Sequence, residues 1–213
     1  MGRRALRKVD PELDLSYHLR TVDDLPLPWD ELAVFGRVAP LEVEMGSGKG
    51  LFLQNAAQAN PDHNFLGVEV SHKYAKFTAA RLAKRELTNA ISVDGDGLRL
   101  FREILPGDSL SAVHVYFPDP WWKKRHHKRR VLNESFLADV VRTLKSQGRL
   151  HFWTDVKEYF DGTLELLAEH TPLIGPIEVP EQAALFDLDY RTHFERRTRL
   201  NEEPVYRAQF AKP

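Results

Sequence analysis

The chain has 213 residues, 42% of them hydrophobic, which suffices for one domain with a full core and argues against a second large one. It contains no cysteine, which excludes disulfides, zinc–thiolate sites, iron–sulfur clusters and cysteine nucleophiles and fits a reducing compartment. The formal net charge is -1, so affinity for a polyanion has to come from local charge, not from the total.

Basic residues are concentrated in three stretches. Residues 1–8 carry Arg3, Arg4, Arg7 and Lys8 with no acid, and residues 121–130 carry Lys123, Lys124, Arg125, Lys128, Arg129 and Arg130 with no acid. Residues 191–199 carry Arg191, Arg196, Arg197 and Arg199 against Glu195 alone. No apolar run approaches the roughly 20 residues of a membrane span. No apolar segment follows the basic N-terminus, so a secretory signal is not expected and the cytoplasm is the expected location.

Residues 10–40 hold Pro11, Pro26, Pro28 and Pro40 and read as an irregular lead-in, with at most a short helix near Trp29–Phe35. Leu41–Met45 is a short apolar strand followed by a glycine cluster. Leu51–Ala59 is a helix stopped by Asn60-Pro61. Phe65–Val70 is a strand, and Ser71 caps a helix running to about Glu86. Asn89–Val93 is a strand, Leu98–Ile104 a short helix, and Ser111–Phe117 a strand rich in aromatic and β-branched residues. Asn133 caps a helix that Gly148 is expected to close. A strand at Arg149–Trp153, a helix at Asp155–His170 and strands at Ile174–Val179 and Val205–Phe210 complete the chain. The alternation predicts an α/β fold, a Rossmann-like, doubly wound, seven-stranded and mainly parallel sheet with an antiparallel last strand. Residues 1–40 form an N-terminal arm and residues 41–213 the domain.

In such sheets ligands bind outside the carboxyl ends of the strands. The unusual residues fall there: Gly46, Gly48 and Gly50, then Glu69, then Asp94 and Asp96, then Pro118, Asp119 and Pro120, then Asp155. With an antiparallel last strand, the connection 181–204, with Thr192 and Glu195, lies on the same edge.

The glycine loop Glu44-Met45-Gly46-Ser47-Gly48-Lys49-Gly50 has G-x-G-x-G spacing, which matches neither the dinucleotide fingerprint nor the phosphate-binding P-loop. Glu44 precedes the glycines and would repel a pyrophosphate. It suits a ligand with a cationic end, such as the amino group and sulfonium of S-adenosylmethionine. Glu69 is placed to accept ribose hydroxyls, and Asp96 an exocyclic adenine amine.

Phe117-Pro118-Asp119-Pro120-Trp121 is the most specific local feature. Each proline fixes its own φ and restricts the preceding residue, so Asp119 sits on a stiff elbow. Trp121 and Trp122 offer flat faces for a base. The run Lys123 to Arg130, with His126 and His127 inside it, suits a phosphate backbone, and no metal-ligand spacing accompanies the histidines.

On these motifs the chain resembles the bacterial tRNA (guanine-N7-)-methyltransferase family over about residues 40–210. Glu44–Gly50, Gly67-Val68-Glu69, Phe117–Trp121, Lys123–Arg130, Thr154-Asp155 and Thr192-His193-Phe194-Glu195-Arg196 fit it in order. The resemblance implies that Glu44, Gly46, Gly48, Glu69, Asp96 and Asp119 line an S-adenosylmethionine site. It implies that Lys123, Asp155, Thr192, His193, Phe194 and Glu195 hold the guanine or its nucleotide. Arg125, His126, His127, Lys128, Arg129 and Arg130 would contact the tRNA, and the expected target is the guanine of its variable loop. No metal, membrane or obligatory protein partner is expected of a monomer or homodimer.

Guanine N7 has a lone pair and no proton, so its methylation needs alignment more than a base. Asp119, or Asp155 with Glu195, is expected to accept from guanine N1–H or N2–H₂. A non-catalytic RNA-binding protein on the same fold predicts RNA affinity without methyl transfer. A DNA amino-methyltransferase would be expected to carry a second proline after Asp119, and a nicotinamide dehydrogenase is disfavoured by Glu44.

Overall fold

The computed structural model describes residues 6, 8–181, 183, 184, 186 and 189–213, and among these eight strands form one sheet. They are β1 (Leu19–Thr21), β2 (Leu41–Met45), β3 (Asn64–Glu69), β4 (Ala90–Asp94), β5 (Leu110–Tyr116), β6 (Leu144–Thr154), β7 (Ile174–Glu178) and β8 (Tyr206–Ala211). The spatial order is β1-β4-β3-β2-β5-β6-β8-β7, parallel from β1 to β6, with β8 antiparallel to β6 and β7. The helices are α1 (Glu31–Phe35), α2 (Leu51–Ala59), α3 (His72–Ala83), α4 (Gly97–Arg99, continued by a π turn at Leu100–Ile104), α5 (Glu134–Thr143), α6 (Lys157–His170) and α7 (His193–Leu200). The N-terminal Arg3, Arg4 and Arg7 lie outside the described residues, and Lys8 is exposed.

The expected strands and helices form, within one to three residues at most ends, for local reasons. Asn133 Oδ1 accepts from the Phe136 amide at 3.1 Å and starts α5. Asp96 does the same for α4 through the Leu98 amide. Two expectations are corrected. The sheet has eight strands, not seven, because Leu19–Thr21 in the lead-in pairs with β4 in parallel. This strand has no apolar periodicity; the exposed edge of β4 selects it. Val22, Leu25, Val34 and Phe35 then pack into the core, which joins the lead-in to the domain. Gly148 does not close α5, which ends at Thr143; it lies inside β6. A Cβ there would stand 2.8 Å from the Lys145 carbonyl and 3.0 Å from that of Leu110, so close strand approach explains the glycine.

The main core lies on the face covered by α4, α5 and α6, where Val43, Val113, Val115, Leu150 and Phe152 meet Phe101, Phe136, Val140 and Tyr159. The other face carries α2 and α3, with Leu53, Ala57, Phe65 and Leu82 in a smaller cluster. From β2 the chain winds outward through β3 and β4, then crosses back to β5 on the other side of β2. The carboxyl ends of β2 and β5 therefore border the topological switch point, where the fold opens a crevice.

The glycine loop after β2 depends on backbone freedom at Gly50, whose φ is +66° and whose added Cβ would lie 2.4 Å from Thr78 Cγ2. Gly46 also has positive φ but opens onto free space. Gly50→Ala should therefore cost about 2–4 kcal/mol and Gly46→Ala only about 1 kcal/mol in urea unfolding. Equal losses would refute the steric argument.

Candidate active site at the carboxyl edge of the sheet

The glycine loop is held from three sides. The Gly46 and Ser47 amides donate to the Val68 carbonyl at 2.9 and 3.0 Å. The Gly48 amide donates to Glu69 Oε2 at 2.9 Å, and Glu69 Oε1 accepts from the Ser71 amide at 2.9 Å. Thr78 Oγ1 donates to the Gly48 carbonyl. Glu69 thus ties the loop to the end of β3 while staying partly exposed to the crevice. Asp96, exposed after β4, keeps one oxygen free of the capping bond.

β2, β5 and β6 alternate apolar residues toward α5 with polar and aromatic residues toward α2. On the polar face, Glu42 Oε1 meets His63 Nδ1 and Glu42 Oε2 meets His114 Nε2, both at 2.7 Å. His114 Nδ1 meets the Tyr116 hydroxyl at 2.9 Å, and Arg191 Nη1 donates to that hydroxyl at 3.2 Å. Phe52 covers this chain, 4.5 Å from His114 and 5.0 Å from Tyr116 between ring centres. Burial pushes the Glu42 carboxyl up, but its hydrogen bonds and charge contacts with His114 and His63 outweigh it and leave the net shift downward. Burial lowers His114 and raises Tyr116. Glu42 is therefore satisfied by its two imidazole partners.

Glu44, two residues on and on the same face, has no such arrangement. It is 3% exposed, and its Oε2 has no hydrogen-bond partner. Burial, then the neighbouring Glu69, pushes its carboxyl well above the usual range, with Arg191 opposing. A buried carboxylate without a partner beside an open glycine is the signature of a site for a cationic group. The residues present therefore fit the ammonium-bearing end of S-adenosylmethionine. Among the described residues no group of three or more His, Asp or Glu is arranged to hold a metal ion.

On the far side of the switch point, Phe117 and Trp121 both adopt left-handed φ, 50° and 48°. The two ends of the Pro118-Asp119-Pro120 elbow are therefore strained, as expected where a loop is shaped for a ligand. Asp119 is exposed, and neither its carboxylate nor that of Asp155 makes a hydrogen bond among the described residues. Asp119, Pro120, Trp121, Trp122, Lys123 and His126 line a cleft of about 290 Å³. A larger cavity of about 670 Å³ involves Leu27, Leu32, Val38, Ser109 and Lys145, near the amino ends of the strands and away from every motif. The strand topology favours the smaller cleft.

Lys124–Arg129 form a 3-10 turn after Lys123. Arg125, Lys128 and Arg129 are exposed, His126 and His127 half-buried, and Arg129 lies over the Trp121 ring at 5.0 Å. Arg130 departs from the expected phosphate contact. Its Nε donates to the Pro120 carbonyl at 2.9 Å, its Nη2 to Glu158 at 3.2 Å, and its guanidinium covers Tyr159 at 4.6 Å. Arg130 pins the elbow from behind.

The 191–195 segment does reach this edge: Phe194 stacks on Phe117 at 6.2 Å, and His193 Nε2 lies 3.0 Å from Arg81 Nη1. Arg81 also donates to Gln54 and to the Lys49 carbonyl, and burial lowers it to about 10. Glu195, expected at the guanine, is engaged inside the protein. Glu195 is 3% exposed, and its oxygens accept from the Arg191 amide, Arg199 and Arg207. Thr192 Oγ1 accepts from the Glu195 amide, so Thr-x-x-Glu is a helix-capping signature here. Tyr116 and Arg81 were not singled out by the sequence, and Arg191 only within a basic stretch; for Tyr116, period-two polar residues on β2, β5 and β6 were the signal available.

This sheet order, with an acid and a glycine loop after the strand at the switch point, defines an α/β methyltransferase of the Rossmann-like class. A crystallised S-adenosylmethionine-dependent methyltransferase from Aquifex aeolicus has the same fold, with TM-score 0.55 and 12% identity, covering 85% of this chain and 87% of that one. Residues 38–208 match the family described as "Putative methyltransferase". The tRNA (guanine-N(7)-)-methyltransferase of Rhodopirellula baltica is 50% identical over 218 residues, spanning 100% of this chain and 80% of that protein. That of Dechloromonas aromatica is 41% identical over 151 residues, spanning 71% of this chain and 61% of that protein. The chain belongs to the tRNA (guanine-N7-)-methyltransferase family.

Because folded Glu44 holds its proton more tightly than the unfolded chain does, stability is full below the ordinary carboxylate range. It falls as pH rises through the raised value. Glu44→Gln should remove this loss and stabilise the free protein by about 1–2 kcal/mol at alkaline pH, with the two proteins converging in acid. Urea midpoints across pH test this; a destabilised Glu44→Gln at alkaline pH would show that Glu44 is satisfied internally.

Proposed function

We propose that this protein transfers the methyl group of S-adenosylmethionine to N7 of a guanine in the tRNA variable loop. It acts in the cytoplasm, as a monomer or homodimer without an obligatory protein partner. The observation that carries the reading is the elbow at Asp119. A carboxylate without an internal partner stands beside exposed aromatic faces, across the switch point from the buried, unpartnered Glu44.

When bound, S-adenosylmethionine supplies a methyl group on a positively charged sulfur. In this reading Glu44 holds the donor's ammonium, Glu69 its ribose hydroxyls and Asp96 its adenine amine, with Gly46 and Gly48 letting the backbone approach. Asp119 borders both subsites. The guanine lies in the 290 Å³ cleft against Trp121 or Trp122, with Lys123 at its mouth. Asp119 and Asp155 accept from guanine N1–H and N2–H₂. N7 carries a lone pair and no proton, so neither residue removes a proton from the nucleophile. Their contribution is alignment and electron density pushed toward N7. Thr192, His193 and Phe194 close the edge, and Glu195 supports them from below by accepting from the Arg191 amide just ahead of α7.

Incubating the protein with unmodified tRNA and methyl-labelled S-adenosylmethionine, then cleaving at N7-methylguanine, should release the label at one position. Label on another atom would overturn the N7 assignment, and tRNA binding without label would favour a binding-only role. Asp119→Asn should lower turnover at saturating substrates at least about tenfold and change tRNA affinity little; near-full turnover would remove Asp119 from the mechanism.

The basic run divides by placement. Arg125→Ala and Lys128→Ala should each weaken tRNA binding and reduce the salt slope by about one ion. Arg130→Ala should instead lower the melting temperature, because it frees the elbow from Tyr159 and Glu158. A salt slope changed by Arg130→Ala and not by Lys128→Ala would reverse this division.

A further inference from the structure

Arg191 takes no part in the roles above, yet it is held more firmly than a surface arginine. Its backbone amide donates to buried Glu195 at 2.6 Å. Its guanidinium lies over Trp153 at 5.0 Å, Phe52 at 5.5 Å and Tyr116 at 5.7 Å. Nη1 donates to the Tyr116 hydroxyl, and its other N–H groups have no acceptor among the described residues. An aromatic floor orients a guanidinium and leaves its remaining edge free for an anion.

Glu44 belongs to the same surface. Glu44 pairs with His114 across β2 and β5, and Tyr116 follows His114 by two residues on the same face. Phe52 opens α2 directly after the glycine loop and covers both His114 and Tyr116. A buried carboxyl with an unpartnered oxygen and a cation with free donors thus share one face of the crevice, and no ion pair joins them among the described residues. Were Arg191 the structural counter-ion of Glu44, the two would meet. A ligand group carrying both charges would satisfy the two at once. A tRNA phosphate fits less well, because Glu44 and Glu69 would repel it.

We propose that Arg191 binds the carboxylate of the donor's α-amino-acid end while Glu44 takes its ammonium. This rests on the methyl-donor reading above. The donor site is then completed by the segment that opens α7, so the segment facing the guanine also holds the donor.

The test uses non-reacting ligands and titration calorimetry. S-adenosylhomocysteine has the amino-acid end, and 5′-methylthioadenosine keeps the adenosine and sulfur without it. Arg191→Met should weaken S-adenosylhomocysteine binding about 10- to 100-fold and leave 5′-methylthioadenosine within about twofold. Arg191→Lys, which keeps the charge and loses the fork, should fall between wild type and Arg191→Met for S-adenosylhomocysteine alone. Unchanged S-adenosylhomocysteine affinity, or equal loss for both ligands, overturns the proposal and leaves the methyl-donor reading standing. A wild-type protein that binds neither ligand overturns both. Should Arg191→Met fail to fold, Arg191→Lys carries the same comparison.

Discussion

The structure turns on one constraint: β2 is buried on both faces, yet one of its faces carries two glutamates. A carboxylate taken out of water has to find donors or a counter-charge, or hold its proton. Glu42 meets the first condition with His63 and His114. Glu44 finds no donor for its Oε2, and its carboxyl is pushed up so that it holds its proton. The two residues share a strand, a face and a chemistry, so the difference lies in what surrounds them. Glu42 lies nearer the amino end of β2, where His63 and the His114 imidazole of β5 reach it; Glu44 lies at the switch point, where the sheet order opens a crevice. Stability is given up at the position where a ligand can restore it.

The same logic accounts for the far side of the crevice. Left-handed φ at Phe117 and Trp121 is unfavourable for side chains of that bulk. The surroundings that fix it are specific. Phe117 donates its amide to the Trp153 carbonyl at 2.8 Å, and Arg130 grips the Pro120 carbonyl while lying on Tyr159. Tyr159 is itself among the largest fully buried side chains and sits in the main core. The elbow is thus anchored through Arg130 to the core of the α5–α6 face. Its exposed side, with Asp119 and Trp122, is left unbonded for contact with another molecule.

Much of this was legible in the sequence wherever a local signal decided the outcome. The β2 bounds, the α2 bounds and the Asn133 cap follow from apolar periodicity and capping chemistry, and the structure repeats them. The parts that were not legible depend on partners far along the chain. β1 is three residues that become a strand only because β4 presents an edge about 70 positions later. Arg191 acquires its meaning from Tyr116 and Phe52, more than 70 residues away. Thr-x-x-Glu was legible as a pattern, and at the start of α7 that spacing lets Thr192 Oγ1 accept from the Glu195 amide.

The C-terminal segment ties the glycine loop and the elbow into one unit. Arg81 on α3 binds the glycine-loop carbonyl of Lys49, the α2 side chain of Gln54 and His193 of α7 through one guanidinium. Arg191, two residues before His193, lies over Phe52, the second residue of α2. Glu195 fixes both ends of this short span, through the Arg191 amide on one side and Arg207 of β8 on the other. A shift of α7 would therefore disturb the glycine loop, the aromatic floor and the last strand together. Phe194 in the same segment stacks on Phe117, the first residue of the elbow. The glycine loop and the elbow, on opposite sides of the switch point, are in this way tied to one helix that belongs to neither strand.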